Sequence, residues 1–256
     1  MATGSIVAQM YTIRDFCKTP ADIAASCRKL NQIGYSLVQV SAVGPIEAAE
    51  LKTILDDNAL HCVVTHTNWK VLTEGVDGLI EELKTLECGL TAIGGMPKDM
   101  RNPEGLKPFA DGMNKAAEAL KAEGIELGYH NHSFEFEPLA DGRLLMDHLM
   151  ELTAAGGMWA EIDTYWVQHG GGDPAAWLRK VAGRAPLIHV KDMGILDGQQ
   201  VMREVGEGNL NWPAILDAAE AAGVKYFAVE QDRCNGLDPF DCLATSYRNL
   251  KAMGLD

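Results

Sequence analysis

The sequence predicts a single-domain α/β fold, a (β/α)8 TIM barrel. Three observations lead there. Short apolar or β-branched runs alternate with segments of helical period along the whole chain. Eight such strand–helix units fit within 256 residues, and a barrel of this class typically has about 250. The strand runs are apolar on both faces, as in a parallel sheet covered by helices.

The first run, SIVAQMYT (5–12), leads into TPADIAASCRKLNQIG (19–34). There Ile23, Cys27, Leu30 and Ile33 recur at spacings of three and four, the signature of one helix face. Thr19 is the expected N-cap, Pro20 the first helical residue and Gly34 the stop. YSLVQVSA (35–42) is followed by a helix near 45–56, and LHCVVTHTNW (60–69) by one near 72–87. LTAIGGMP (90–97) precedes a helix near 105–123 that ends at Gly124. IELGYHNHSFEF (125–136) precedes one near 142–155, and MWAEIDTYWV (158–167) one near 173–182. APLIHVKDM (185–193) is followed, after a longer loop, by NWPAILDAAEAAG (211–223). KYFAVEQD (225–232) leads to a last helix near 238–253. A doubly wound open sheet usually has fewer strands, and no G-x-G-x-x-G follows the first strand here. No low-complexity or Pro/Ser-rich linker divides the chain, so one domain is expected over 1–256.

The bulk properties exclude several classes of function. A formal charge of −14 and a pI near 4.9, with no run of Lys or Arg, argue against a nucleic-acid partner. No apolar run approaches the ~20 residues that cross a bilayer, and the N-terminus lacks the basic and apolar regions of a signal peptide. A cytoplasmic protein without a membrane partner is expected. The six cysteines lie far apart and form no C-x-x-C pair, so ordinary reduced thiols are expected.

In a barrel of this class the chemistry sits at the C-terminal ends of the strands. Here those ends carry unusual residues. Strand three ends in Thr65-His66-Thr67-Asn68-Trp69, and strand five in His130-Asn131-His132, with Glu135 and Glu137 beyond. Strand six carries Glu161 and Asp163, strand seven His189, Lys191 and Asp192, and strand eight ends in Glu230-Gln231-Asp232. Side chains alternate along a strand, so His130 and His132 share a direction, as do Glu161 and Asp163, and His189 and Lys191. If that direction is inward, imidazoles and carboxylates converge on one volume. Burying carboxylates together is costly, and a divalent cation resolves the conflict. Mixed imidazole and carboxylate ligands suit Mn, Zn, Co, Ni or Fe better than Ca. Singly, each of these residues has an ordinary structural use: Asp163 as a cap, Glu230 as the partner of an Arg. His61 opens a strand and His148 sits mid-helix, and both read as structural. His169, in QHGGGDP, is a loop residue that could lie on the rim.

The motifs GYHNHSFEFEP (128–138), AEIDTYWVQHGG (160–171), LIHVKDM (187–193), EVGEGNLNW (204–212) and AVEQD (228–232) together resemble the sugar phosphate isomerase/epimerase superfamily, the xylose isomerase-like TIM barrels. The resemblance runs over nearly the whole chain. It implies one divalent metal ion (Mn, Mg, Zn, Co or Fe) held by one side chain from each of strands five to eight. Many members use Glu, Asp, His and Glu. Asp163, His189 and Glu230 match the last three. On strand five this chain departs from the pattern, and His130 aligns with the ligand position; a reach-back by Glu135 or Glu137 is the alternative.

The implied activity is isomerisation or epimerisation of a sugar, by proton removal next to a carbonyl and enediolate stabilisation. His132 and Glu135 are then the candidates for proton transfer, and Lys191 for binding or stabilising a substrate oxygen. His66 and Trp69 are expected to line the pocket, with Asn131 beside them at the strand-five end. Glu207, in the GEG loop, either bonds sugar hydroxyls or orders the loop. A dehydratase or lyase acting on a keto-sugar, a 3-keto-glycoside or an inosose is the alternative, since the same proton abstraction can end in β-elimination. An apurinic-endonuclease-like nuclease shares the barrel, but the charge of −14 opposes it. The expected partner is a small-molecule sugar. Many such barrels form homo-oligomers, and no signal in the chain decides that point.

Overall fold

Eight parallel strands close on themselves in the order of the chain. The structure, a computed structural model, describes residues 4–256. The barrel strands are β1 (Ser5–Gln9), β2 (Leu37–Val40), β3 (His61–Thr67), β4 (Leu90–Ile93), β5 (Glu126–His130), β6 (Trp159–Asp163), β7 (Leu187–Val190) and β10 (Tyr226–Val229). Each pairs with its sequence neighbour, and β10 pairs with β1 to complete the closure. Between β7 and β10 the chain inserts a hairpin, β8 (Asp192–Leu196) and β9 (Gln199–Arg203).

The helices cover the outside: α1 (Pro20–Ile33), α2 (Ala48–Asp57), α3 (Trp69–Glu74), α4 (Asp77–Thr85), α5 (Pro103–Lys121), α6 (Leu145–Leu152), α7 (Thr164–His169), α8 (Pro174–Lys180), α9 (Trp212–Ala222) and α10 (Pro239–Ala252). Their starts follow the sequence signals. Thr19 and Asp22 form a reciprocal capping box at α1, and Pro occupies the first helical position of α1, α5, α8 and α10 and the second of α9.

The outward faces of the strands and the inward faces of the helices form one continuous apolar layer. A second, smaller cluster that includes Val7, Val64, Ala92, Trp159, Leu187 and Ala228 fills the barrel interior toward its N-terminal end. Gly128 makes room for it: a Cβ there would stand 2.3 Å from the Trp159 ring. The polar residues begin one layer above this plug. In register, His130 lies beside Glu161, Asp163 beside His189, and His189 beside Ala228.

Three elements differ from expectation. The helix near 72–87 is two helices, α3 and α4, broken at Gly75, whose φ of 136° suits no other residue. The sixth strand stops at Asp163, which caps α7, so Tyr165, Trp166 and Val167 are helical. The longer loop after strand seven contains the β8–β9 hairpin, turning at Asp197-Gly198 with both residues at positive φ. All six cysteines are free thiols. No helix among the described residues is long and apolar enough to cross a membrane.

Candidate active site

The cavity at the C-terminal mouth of the barrel encloses about 890 Å3. At its base His130, Asp163, His189 and Glu230 converge. His130 and Asp163 end β5 and β6, His189 is the penultimate residue of β7, and Glu230 directly follows β10. One ligand-type atom from each lies within 4.8 Å of the others, and all four side chains are buried. His189 Nδ1 stands 2.8 Å from Glu230 Oε2 and 3.8 Å from Asp163 Oδ2, and His130 Nε2 stands 3.9 Å from Asp163 Oδ2. Asp163 divides its two oxygens. Oδ1 accepts the Trp166 amide at 2.9 Å and starts α7, while Oδ2 faces the cluster and the Lys191 ammonium.

Lys191 follows β7 and is 1% exposed. Its ammonium lies 2.7 Å from Glu230 Oε2, 2.9 Å from Asp163 Oδ2 and 3.2 Å from Asp232 Oδ1. Burial disfavours that charge, but Asp163 and Glu230 outweigh burial and hold the lysine well above its ordinary range. Burial likewise works against Glu230, yet Lys191 and His189 keep its carboxyl well below the usual range. Burial pushes Asp163 up. Burial also keeps His130 well below its ordinary value, and so in the neutral form that ligates.

Under this cluster lies a second polar group. Glu161 is fully buried; its Oε1 accepts from Gln39 Nε2 at 2.8 Å, and its Oε2 lies 2.6 Å from His66 Nε2. His189 Nε2 reaches Gln39 Oε1 at 2.8 Å and Glu161 Oε1 at 3.3 Å. Burial opposes an imidazolium at His189, and Glu161 and Glu230 overcome it, pushing the ring up to about 10. Three carboxylates (Asp163, Glu230 and Asp232) thus gather around Lys191, and a fourth, Glu161, stands against His189 and His66. That surplus of negative charge, beside the converging His130, Asp163, His189 and Glu230, fits a divalent cation held by imidazole and carboxylate.

The remaining predicted residues divide. His132 and His66 line the cavity, with the His132 ring 5.0 Å from that of His130. His169 lies on its rim, stacked on Tyr165. His61 opens β3 at the far end of the strand, and His148 pairs with Asp141 at 3.0 Å. Three residues, Trp69, Asn131 and Glu135, stand away from the roles expected of them. Trp69 packs on Phe109, with ring centroids 4.8 Å apart, because it begins α3 and faces α5. Asn131 is buried behind the site, accepting from the Asp163 amide at 3.1 Å and donating to the His132 carbonyl at 3.2 Å. Glu135 is buried with both oxygens engaged within the chain, one by Tyr129 Oη at 2.7 Å and one by the His132 amide at 2.9 Å. Glu207 is exposed and accepts from Asn249 at 3.0 Å, which orders the loop. Glu137 is exposed as well, and with Glu135 so engaged neither carboxylate reaches back to the cluster.

Other residues take those places. Trp166 supplies the aromatic wall, 5.4 Å from the His132 ring and 5.6 Å from the Lys191 ammonium. Its signal was position: three residues past Asp163, it falls one turn into the helix that Asp163 caps. Asp192 is the hub of the EVGEGNLNW segment. Its two oxygens accept from the amides of Met193, Gly206, Gly208 and Leu210 and from Trp212 Nε1. A carboxylate with that many donors tethers the loop and has no lone pair left for substrate.

Residues 27–241 match the family described as the xylose isomerase-like TIM barrel. The chain belongs to that family. Among solved structures, this xylose isomerase-like barrel superposes on a sugar phosphate isomerase/epimerase from Parabacteroides distasonis with a TM-score of 0.81 and 22% identity, covering 99% of this chain and 96% of the other. It superposes on an L-ribulose 3-epimerase with a TM-score of 0.73 and 15% identity, covering 97% and 94%. These two likenesses concern the fold alone. In sequence, the barrel is 32% identical over 168 residues to an inosose dehydratase of Clostridium beijerinckii, a match covering 59% of this chain and 55% of the relative. The chain spans about half the length, or less, of the curated relatives it matches.

Proposed function

We propose that this barrel is a divalent-metal-dependent enzyme that removes the proton next to the carbonyl of a keto-sugar or keto-polyol, and that it returns the proton as an isomerase or epimerase. The convergence of His130, Asp163, His189 and Glu230 beneath an open polar cavity carries the reading. A bound divalent ion would polarise the substrate carbonyl and stabilise the enediolate. The chain's own residues do the rest. Lys191 is a fixed positive charge at the cavity floor, suited to hold a substrate oxygen that becomes negative. His132 is held to about 4 by burial and by the Lys191 charge, so its ring is neutral and free to accept a proton. Its Nδ1 makes no hydrogen bond within the chain. His66 lines the same cavity with its ring fixed between Glu161 Oε2 at 2.6 Å and Ser41 Oγ at 3.3 Å. Trp166 covers the apolar face of the sugar.

A dehydratase is the second reading, favoured by the inosose dehydratase among the sequence relatives. It shares the proton abstraction and ends in loss of a β-hydroxyl. Incubating keto-sugars and inososes with the Mn- or Mg-loaded protein in D2O, followed by NMR, separates the two. Deuterium on a carbon of an intact skeleton is the expected result. An unsaturated or dehydrated product establishes the second reading instead. No exchange in any substrate of this class removes both.

A further inference from the structure

We infer that Gln39, on β2, is a positioning residue that fixes which nitrogen of His189 faces the ligand cluster. The inference rests on the metal reading above and concerns a residue outside that ligand set. Gln39 is fully buried, and β-sheet register places it beside Gln9 on one side and Val64 on the other, so its backbone is pinned.

The argument follows from what each group can donate. Gln39 Nε2 donates to Glu161 Oε1 at 2.8 Å, so its NH2 group faces that carboxylate. The Gln39 carbonyl oxygen therefore faces His189 Nε2, also at 2.8 Å. That oxygen only accepts, so Nε2 carries a hydrogen. Glu161 Oε1, 3.3 Å from the same nitrogen, is a second acceptor and demands the same assignment. In the neutral ring the lone pair then lies on Nδ1. This is the nitrogen that faces Glu230 Oε2 at 2.8 Å and Asp163 Oδ2 at 3.8 Å. The Glu161–Gln39–His189 chain thus prepares Nδ1 as the ligand atom. It also explains why an uncharged amide occupies a fully buried position in a barrel. A glutamate there would set two acceptors against each other, an aspartate or asparagine is one methylene short, and an aliphatic residue leaves both neighbours without a partner.

The test uses Zn2+ alone as the probe, with the full chain. Isothermal titration of wild type and Gln39→Leu should give a Kd raised by roughly 10–100-fold in the variant. Two-dimensional 15N–1H spectra of the zinc-loaded wild type should show His189 carrying its proton on Nε2 and its metal-shifted nitrogen at Nδ1. A residue that only filled space would leave that tautomer unset. Equal Kd values in the two proteins, or a His189 ligated through Nε2, would overturn the inference. Failure of the wild type to take up Zn2+ would overturn both this inference and the metal reading. Binding by the wild type with an unchanged variant overturns only this one. If Gln39→Leu does not fold, the wild-type tautomer decides.

Discussion

Lys191 Nζ lies 2.7 Å from Glu230 Oε2, with both side chains buried at the base of the cavity. The pair is one edge of a cluster in which carboxylates outnumber cations. The lysine is therefore part of what makes the cluster tolerable before any ion arrives. Replacing Lys191 by Met should destabilise the metal-free protein by about 3–5 kcal/mol, the cost of leaving a buried charge without its partner. Saturating Zn2+ should recover much of that loss, because the ion takes over the neutralisation. Chemical denaturation with and without Zn2+ reads both terms. A metal-free variant as stable as wild type would show that the ammonium is not needed there.

Asp163 serves two masters through different oxygens. Asparagine can keep the helix cap through its carbonyl oxygen, but it lacks the charge that faces the cluster. Asp163→Asn is expected to raise the Kd for a divalent ion by at least a hundredfold, an order-of-magnitude estimate, while α7 stays in place. Asp163→Ala should add a further loss of about 1 kcal/mol in stability, the worth of the cap. Calorimetric titration and thermal melting separate the two effects; identical stability of the Asn and Ala variants would argue against the cap.

The two tryptophans predict opposite phenotypes. Trp166 faces the cavity and Trp69 faces α5. Trp166→Leu should raise KM by roughly three- to tenfold, matching the ~0.5–1.5 kcal/mol of an aromatic contact. Trp69→Leu should leave KM unchanged and cost about 1–2 kcal/mol of stability through lost packing on Phe109. Steady-state kinetics and denaturation of both variants check the assignment, and a KM effect from Trp69 would reverse it.

Glu135 makes a pH prediction. Burial pushes its carboxyl up from 4.5 to about 7, against the pull of its bond to Tyr129. In the unfolded chain the group ionises near its ordinary value, so between these two values the folded state holds the proton and the unfolded state does not. Stability from this group is therefore present below about pH 4.5 and falls as pH rises toward 7, by up to about 3 kcal/mol. Glu135→Gln should flatten that part of the curve. Gln can still accept the His132 amide with its oxygen and donate to Tyr129 Oη with its NH2. Denaturation midpoints measured from pH 4.5 to 7.5 test it; an unchanged slope in the variant would assign the pH dependence elsewhere.

The parts of the site that follow from local periodicity were readable in the chain. Asp163, His189 and Glu230 sit at strand ends, where the resemblance to xylose isomerase-like barrels marked them as ligands and aligned His130 with the fourth position. Alternation paired only residues of one strand, such as Glu161 with Asp163. Gln39 was not readable, because its role depends on partners 122 and 150 residues away that only barrel closure brings together. Trp69 was assigned to the pocket by nearness to a strand end, and Trp166 was given no role. What decides between them is helix phase: Trp69 starts α3 and turns outward, whereas Trp166 follows the Asp163 cap and turns inward. Glu135 looked reactive because it is a carboxylate near two histidines, and only the three-dimensional fold shows Tyr129 and the His132 amide using up its oxygens. The hairpin carries a signal of its own, the Asp197-Gly198 pair between apolar runs.

That hairpin separates tasks. Gln200, Val201 and Met202 of β9 form part of the cavity wall, yet none belongs to the barrel or the ligand cluster. Asp192 clamps the base of the insertion, while Ile195 and Leu196 project from its outer end at 59% and 47% exposure. On the proposed function, substrate shape would be read partly by an appendage and the chemistry by a frame that does not depend on it.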